Sequence, residues 1–251
     1  EKDGADVKLH LDVRCGTYGV ELGGRKLEVA KIVMTSYALE EADTPVEVFE
    51  ACRAFCSEMC DDPDCRDTVI YGGNNWYYAY GKSSAKEILG DSAYLAEMTE
   101  GIENRPFMVM DDGWQIDHSD SYNGGSWRVG NADYGDMGEL AAQMRAKNVR
   151  PGIWFRPLYD HSADIPAEWR LERNAEVFDI SVPEVLEHIA QDIRQLGDWG
   201  YELIKHDFST YDIFGCWGFE MGTRLTNGSW RFHDHTKTCL LYTSDAADEL
   251  D

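Results

Sequence analysis

Four short apolar segments, each followed at once by polar or aromatic residues, constrain the fold of this chain more than any other feature. They lie at 68–71 (TVIY), 107–110 (FMVM), 152–155 (GIWF) and 201–204 (YELI). Helical stretches separate them, so that strand-then-helix units recur at roughly 40–50 residues. Such units predict parallel strands joined by crossover helices. An α/β barrel and a doubly wound sheet both meet this requirement.

Capping patterns predict where the helices begin. Ser84, Asp136 and Ser181 each stand three residues before a glutamate, which is the spacing of a capping box. Apolar residues at 186, 189, 193 and 196 then predict an amphipathic helix after the third cap. Pro45 predicts an earlier helix that we expect to run to about Cys60.

The residues that follow each apolar segment favour the barrel. They are 72–76 (GGNNW), 111–114 (DDGW), 156–157 (RP) and 205–207 (KHD). Active sites of (β/α)₈ barrels lie at the C-terminal ends of several strands. The sequence shows only four of the eight strands, and therefore predicts an α/β fold that is the N-terminal half of a (β/α)₈ TIM barrel, over residues 45–238.

The two ends of the chain differ from this middle part. Alternating or apolar stretches at 8–13, 17–22 and 28–34 predict the last strands of an antiparallel β domain within residues 1–44. Residues 239–251, which begin CLLYTSDAAD, resemble a translated sequencing adapter. We expect a non-native tail there and a natural gene that continues beyond Thr238, with a genuine acidic tail as the alternative.

Charge and cysteine content limit the partners. A formal charge of −24 disfavours nucleic acid and anionic lipid, and we expect neither nucleic acid nor membrane as a partner. Cys52, Cys56 and Cys60 are four residues apart, with Cys65 close by, which favours a buried helix face. A disulfide and a metal site stay open, and the cellular compartment stays unknown.

Lys205 and Asp207 are the first candidates for chemistry. Residues two apart on a strand point to the same side, and a lysine beside an aspartate stabilises the carboxylate form. A carboxylate is what a glycosidase nucleophile must be, although a structural ion pair is an alternative.

Adjacent Asp111 and Asp112 form the second candidate group. Their carboxylates could bind sugar hydroxyls or a divalent metal. The third interpretation is that they begin a solvated loop and bind no ligand. Trp76 and Trp127 could cover a sugar ring or lie in the core. Arg156 could contact a hydroxyl or form a salt bridge to Asp111 or Asp112.

Four segments in order, 74–76 (NNW), 107–115 (FMVMDDGWQ), 151–157 (PGIWFRP) and 199–207 (WGYELIKHD), resemble the retaining α-galactosidases of clan D, and glycoside hydrolase family 36 in particular. The resemblance covers roughly residues 68–215, and it implies that residues 1–44 are the end of the β-sandwich domain that precedes the barrel in that family. It implies a glycoside hydrolase that acts on oligosaccharides with a terminal α-galactose and needs no cofactor or metal. A homo-oligomer of the full-length protein stays open.

The resemblance also implies roles. Asp207 matches the catalytic nucleophile, and Lys205 matches a lysine that contacts sugar hydroxyls. Asp111 and Asp112 match the pair around O4 and O6 of galactose, while Trp76 and Trp127 match tryptophans of the first strand and a loop. The acid/base of the family comes from a later strand, so none is assigned in this chain.

Some positions depart from the family pattern and leave the substrate open: Gly73 replaces a further Trp, Arg156 and Leu158 replace acids, and His206 replaces a large aromatic residue. A raffinose-synthase-type transglycosidase, a non-catalytic sugar-binding relative and a metal-dependent barrel enzyme are the alternative functions.

Overall fold

The computed structural model describes residues 2–3, 6–7, 21–26, 32–34, 45–58, 68–215, 217 and 232–237. The chain divides into two compact units, Glu1–Val13 with Arg25–Val69, and Arg14–Gly24 with Ile70–Asp251. The stretch 8–13 and the proposed tail 239–251 lie outside the described residues. Of the stretches 17–22 and 28–34, residues 21–22 and 32–34 are described, and they do not form a strand.

The first unit contains an antiparallel pair, β1 (Lys2–Asp3) and β2 (Asp6–Val7), and the helix α1 (Pro45–Cys56). The helix begins at the predicted proline and ends four residues before the predicted end. Cys52 and Cys56 are free thiols on an exposed surface, so their predicted burial is wrong. Phe49 and Phe55 of the same helix are exposed as well, so the exposure of the two thiols is shared by its large apolar side chains. Cys60 and Cys65 lie outside the described residues.

The second unit is a mixed α/β fold around a parallel sheet. Its elements in chain order are β3 (Gly72–Asn74), α2 (Trp76–Ala79), α3 (Ala85–Met98), β4 (Phe107–Met110), α4 (Met137–Ala146), β5 (Arg150–Phe155), β6 (Arg170–Leu171), β7 (Asn174–Phe178), α5 (Pro183–Trp199), β8 (Leu203–His206) and α6 (Ser209–Phe214). Strands β3, β4, β5 and β8 lie side by side in that order, and every pair is parallel. The predicted parallel sheet with intervening helices is confirmed.

The first strand lies four residues later than predicted. Val69 and Ile70 are 72% and 55% exposed, and β3 consists instead of the glycines and asparagine that follow. Gly72 pairs with Phe107, and a side chain at Gly72 would collide with the Phe107 carbonyl at 1.8 Å. Because β3 and β4 pair this closely, position 72 requires glycine. The apolar content of the sequence had predicted the strand at the residues before it.

The fourth strand is also shifted, to 203–206 from the predicted 201–204. Helix α5 ends at Trp199, and its C-cap is Gly200, whose φ of 97° is the left-handed conformation that glycine adopts at no steric cost. Tyr201 follows directly and is buried, and its hydroxyl donates to the Met137 carbonyl. This tyrosine therefore belongs to the core and not to the strand.

Two of the three predicted helix caps are confirmed. The Ser84 Oγ accepts from the Glu87 amide at 3.4 Å at the start of α3. The Asp136 Oδ1 accepts from the Glu139 amide at 2.8 Å at the start of α4.

The cap predicted at Ser181 is wrong. Pro183 occupies the first helical position of α5, and Val182 is the cap residue, with no side-chain cap bond. The Ser181 amide donates instead to Asp179 Oδ1 at 2.8 Å, and its Oγ accepts from the Asp234 amide at 3.0 Å.

The core lies between the parallel sheet and the helices α3, α4 and α5. Met110 from β4, Ile153 from β5 and Leu196 from α5 are fully buried in it. The predicted apolar side of α5 is confirmed, since Ile189 and Ile193 pack against the same cluster. Among the described residues, no helix is both long and apolar enough to span a bilayer. Because strands β3, β4, β5 and β8 are parallel, their carboxyl ends lie at one edge of the sheet.

Candidate active site

Asp111 is the centre of a polar cluster at this edge. Its Oδ2 accepts from Asn74 Nδ2 at 2.5 Å and from Lys205 Nζ at 2.5 Å. The Asp111 side chain is 3% exposed, whereas that of Lys205 is 39% exposed. Strands β3, β4 and β8 therefore converge on one buried carboxylate that is paired and hydrogen-bonded, as a buried charge must be.

The backbone around Asp111 is held equally firmly. Its amide donates to Asn75 Oδ1 at 2.7 Å, and Asn75 is only 1% exposed. Its Oδ1 accepts from the Asp112 amide at 2.9 Å. Neither asparagine was predicted as a site residue, although an Asn74-Asn75 pair directly after two glycines was the available signal.

Asp112 points to different partners from Asp111. Its Oδ1 accepts from Gln115 Nε2 at 2.8 Å and lies 3.8 Å from His118 Nε2. Burial raises the pKa of the Asp112 carboxyl above its ordinary value, and the Gln115 hydrogen bond and His118 partly oppose this rise. The two adjacent acids thus have separate sets of hydrogen-bond donors, although the charge of Asp111 still contributes to the raised pKa of Asp112.

Asp207 follows β8 directly, and donors reach both of its carboxylate oxygens. Trp154 Nε1 donates to Oδ2 at 3.0 Å, and the Phe208 amide donates to Oδ1 at 2.8 Å. Trp154 is itself 1% exposed, and its carbonyl accepts from Trp114 Nε1 at 2.9 Å. Two buried tryptophans, neither of which was predicted as a site residue, therefore orient the Asp207 carboxylate.

Arg156 does not pair with Asp111 or Asp112, so the salt bridge considered between them is wrong. Its Nε and Nη2 donate to Asp212 at 3.0 and 2.5 Å in a bidentate ion pair, and both side chains are almost fully buried. The physical reason is that α6 follows Asp207 and carries Asp212 back over the end of β5. The sequence carried no signal that Asp212, 56 residues from Arg156, would be its partner.

The two predicted tryptophans have different positions. Trp76 is half-buried at the start of α2, where its amide donates to Asn74 Oδ1 at 2.8 Å. Trp127 is 1% exposed and packs against the rings of Trp114, Trp154 and Phe155. The structure thus places Trp76 beside the cluster, whereas Trp127 is a core residue that offers a ligand no open ring face.

Within the described residues, no group of three or more His, Cys, Asp or Glu side chains could hold a metal ion. Asp111, Asp112 and Asp207 are each engaged with nitrogen donors from protein groups.

Comparison with solved structures gives the class of fold. The galactosidase domain of the α-galactosidase-sucrose kinase AgaSK is similar to this chain, with a TM-score of 0.53 and 20% identity over 74% of this chain and 25% of that chain. This likeness shows a shared mixed α/β fold with a parallel sheet.

Two further structures are similar over a shorter part. The α-galactosidase TtGalA from Thermus thermophilus, in complex with p-nitrophenyl α-D-galactopyranoside, is 25% identical over 57% of this chain and 31% of that chain, with a TM-score of 0.45. The family 36 α-galactosidase AgaA from Geobacillus stearothermophilus is 24% identical over 56% of this chain and 21% of that chain, with a TM-score of 0.44. The chain thus spans between about a fifth and a third of these relatives. No family model and no curated protein matches it.

Proposed function

We propose that this protein is a retaining glycoside hydrolase that acts on terminal α-galactosides, an α-galactosidase. The observation that supports this proposal is the Lys205–Asp111 ion pair at the carboxyl edge of a parallel sheet, on the strand that Asp207 directly follows. With it we propose that the sheet is the first half of a (β/α)₈ barrel that follows the end of a β-sandwich.

The proposed galactose-binding site includes the Lys205–Asp111 ion pair. Lys205 Nζ is partly exposed and has donors left after its bond to Asp111, so it can donate to a sugar hydroxyl. Asp111 and Asp112 would accept from hydroxyls around O4 and O6, and the half-buried ring of Trp76 would cover the apolar side of the pyranose. Fixed donors and acceptors of this kind position the anomeric carbon for attack.

Asp207 is the proposed nucleophile. Its carboxylate would attack the anomeric carbon and expel the leaving-group oxygen, forming a covalent glycosyl-enzyme that water then hydrolyses. Trp154 Nε1 holds one carboxylate oxygen, which fixes the approach of the other. Retention requires an acid/base about 5–5.5 Å from the nucleophile. Asp212 does not suit that role because Arg156 engages both of its oxygens.

Hydrolysis of p-nitrophenyl α-galactoside by the complete gene product tests the proposal. We expect release of nitrophenol, and proton NMR should show α-galactose as the first-formed anomer. β-Galactose as the first product would contradict the retaining mechanism. Absence of turnover would contradict the proposed hydrolase activity. Transfer of galactose to an added sugar, in place of water, would identify a transglycosidase.

Lys205→Met is expected to lower kcat/KM for the galactoside by about 10²-fold, the usual effect of losing one well-placed donor. Lys147→Met is the matched control, because Lys147 is exposed at the end of α4. Equal activity of the two variants would contradict the role of Lys205.

Excess chelator should leave the rate unchanged, because the proposed chemistry uses only carboxylates and an amine. The measurement is the initial rate before and after dialysis against EDTA. Loss of activity that returns with a divalent cation would favour the metal-dependent alternative instead.

A further inference from the structure

The turn that follows Asp112 supplies a buried hydrogen-bond donor to its carboxylate. Gln115 is fully buried, and its Nε2 donates to Asp112 Oδ1 at 2.8 Å. The Gln115 Oε1 accepts from the Gly113 amide at 3.1 Å, so both ends of the side-chain amide are engaged within the same turn. Because Gln115 is enclosed in this way, it acts on Asp112 and does not itself contact a substrate.

His118 approaches the same carboxylate oxygen from the end of that turn. Its amide donates to the Gln115 carbonyl at 3.2 Å, and its Nε2 lies 3.8 Å from Asp112 Oδ1. The His118 side chain is 15% exposed, and a side chain at Gly81 would come within 2.9 Å of its Nε2. The imidazole is therefore enclosed between the loop after α2 and Asp112, within reach of an ion pair when it is protonated.

The groups around Asp112 act on its charge in opposite directions. Burial raises the pKa of the Asp112 carboxyl, and the charge of Asp111 adds to this rise. The Gln115 hydrogen bond opposes the rise most strongly, followed by His118, and a hydrogen bond from Asn123 also opposes it. A buried carboxylate that has to accept from a hydroxyl needs such partners, because burial alone favours its protonated form.

Tyr134 and Lys205 also face this pair of acids, but they do not compensate the charge of Asp112. Burial raises the pKa of the Tyr134 phenol to about 12, so this group stays neutral at the pH values at which a carboxylate titrates. Lys205 Nζ donates to Asp111 Oδ2 at 2.5 Å and thus compensates the neighbouring acid. Gln115 and His118 are therefore the strongest influences in favour of the Asp112 carboxylate.

We propose that Gln115 and His118 are positioning residues for Asp112, which hold its carboxylate in the orientation and charge state that accept from a galactose hydroxyl. Both contacts are made at Oδ1, and each carboxylate oxygen has about two acceptor sites, so capacity remains for a ligand. This inference rests on the proposed function of Asp112 in galactose binding.

Gln115→Met in the complete gene product tests the hydrogen bond, because methionine has a similar size and no N–H donor. The measured quantity is kcat/KM for p-nitrophenyl α-galactoside as a function of pH, whose acid limb reports an essential carboxylate of the free enzyme. We expect the midpoint of that limb to rise by about one pH unit, since loss of the donor raises the pKa of Asp112 further. A loss of activity that is equal at every pH would be a purely structural effect and would overturn the proposal.

Gln143→Met is the matched control. Gln143 Nε2 also donates to a carboxylate, Glu139 Oε1 at 3.0 Å, but this pair lies on the exposed face of α4. We expect the acid limb of this variant to coincide with that of the unmodified protein.

His118→Phe tests the second residue and keeps the proposal testable if the buried Gln115→Met variant does not fold. Phenylalanine places an uncharged ring beside Gly81 and Asp112. The midpoint of the acid limb should rise by less than in Gln115→Met, because His118 opposes the raised pKa of Asp112 less strongly. An unmoved limb in a variant whose thermal midpoint shows that it is folded would contradict the role of His118.

A separate measurement distinguishes this inference from the proposed function. If the unmodified protein does not hydrolyse the galactoside, the proposed function fails, and urea unfolding at a series of pH values then decides the positioning alone. An acid with a raised folded-state pKa destabilises the fold when it is ionised, so the deficit of Gln115→Met should be largest at neutral pH and shrink in acid. A deficit that is the same at each pH would overturn the effect of Gln115 on Asp112.

Discussion

Asp207→Ala in the complete gene product is expected to lower kcat/KM for p-nitrophenyl α-galactoside by on the order of 10⁴-fold or more, because removal of a nucleophile leaves only binding and positioning. The rest of the cluster should persist, since Asn74 and Lys205 bind Asp111 and not Asp207. The measurement is steady-state hydrolysis by unmodified and variant protein, with the thermal midpoint as a check of folding.

Asp198→Ala is the control for this experiment, because Asp198 is an exposed acid near the end of α5, before β8 begins. Added azide gives a second readout. If Asp207 is the nucleophile, azide should replace it in the Asp207→Ala variant and yield β-galactosyl azide. Near-normal turnover by Asp207→Ala would reject the assignment.

Arg156→Met is expected to destabilise the complete gene product by about 3–5 kcal/mol, because Asp212 is left as an unpaired buried charge. The double variant Arg156→Met with Asp212→Leu should recover most of this loss, since an apolar pair can replace a buried ion pair. Urea unfolding measures both. Arg194→Met is the control, because Arg194 and its partner Glu187 are exposed, and we expect little change there.

The deficit of Arg156→Met should depend on pH. Burial raises the pKa of the Asp212 carboxyl above its ordinary value, and Arg156 opposes that rise. Without the arginine, the folded-state pKa rises further, and an acid with a raised folded-state pKa destabilises the fold when it is ionised. The difference in unfolding free energy from the unmodified protein should therefore be largest at neutral pH and shrink as pH falls through the raised pKa. A deficit independent of pH would contradict this cause.

The helix starts show how much of the structure the local sequence pattern predicts. Ser84 and Asp136 cap α3 and α4 as predicted, because a side chain and an amide three residues away meet through the geometry of one turn. At Ser181 the same pattern fails, since Pro183 sets the first helical position. Strand positions shifted for a comparable reason: Gly72 allows a close backbone approach that the apolar residues before it cannot make.

The sequence by itself determined the alternation of strands and helices, and the clustering of polar residues at strand ends. Both follow from periodicity and local propensity, which neighbouring residues encode. Only the tertiary structure decided the partners: Asp111 with Lys205 from 94 residues away, Arg156 with Asp212, and Trp127 with the core. The reason is that charge pairs and ring packing depend on which strands become neighbours and where α6 returns, and a linear pattern does not specify these distances.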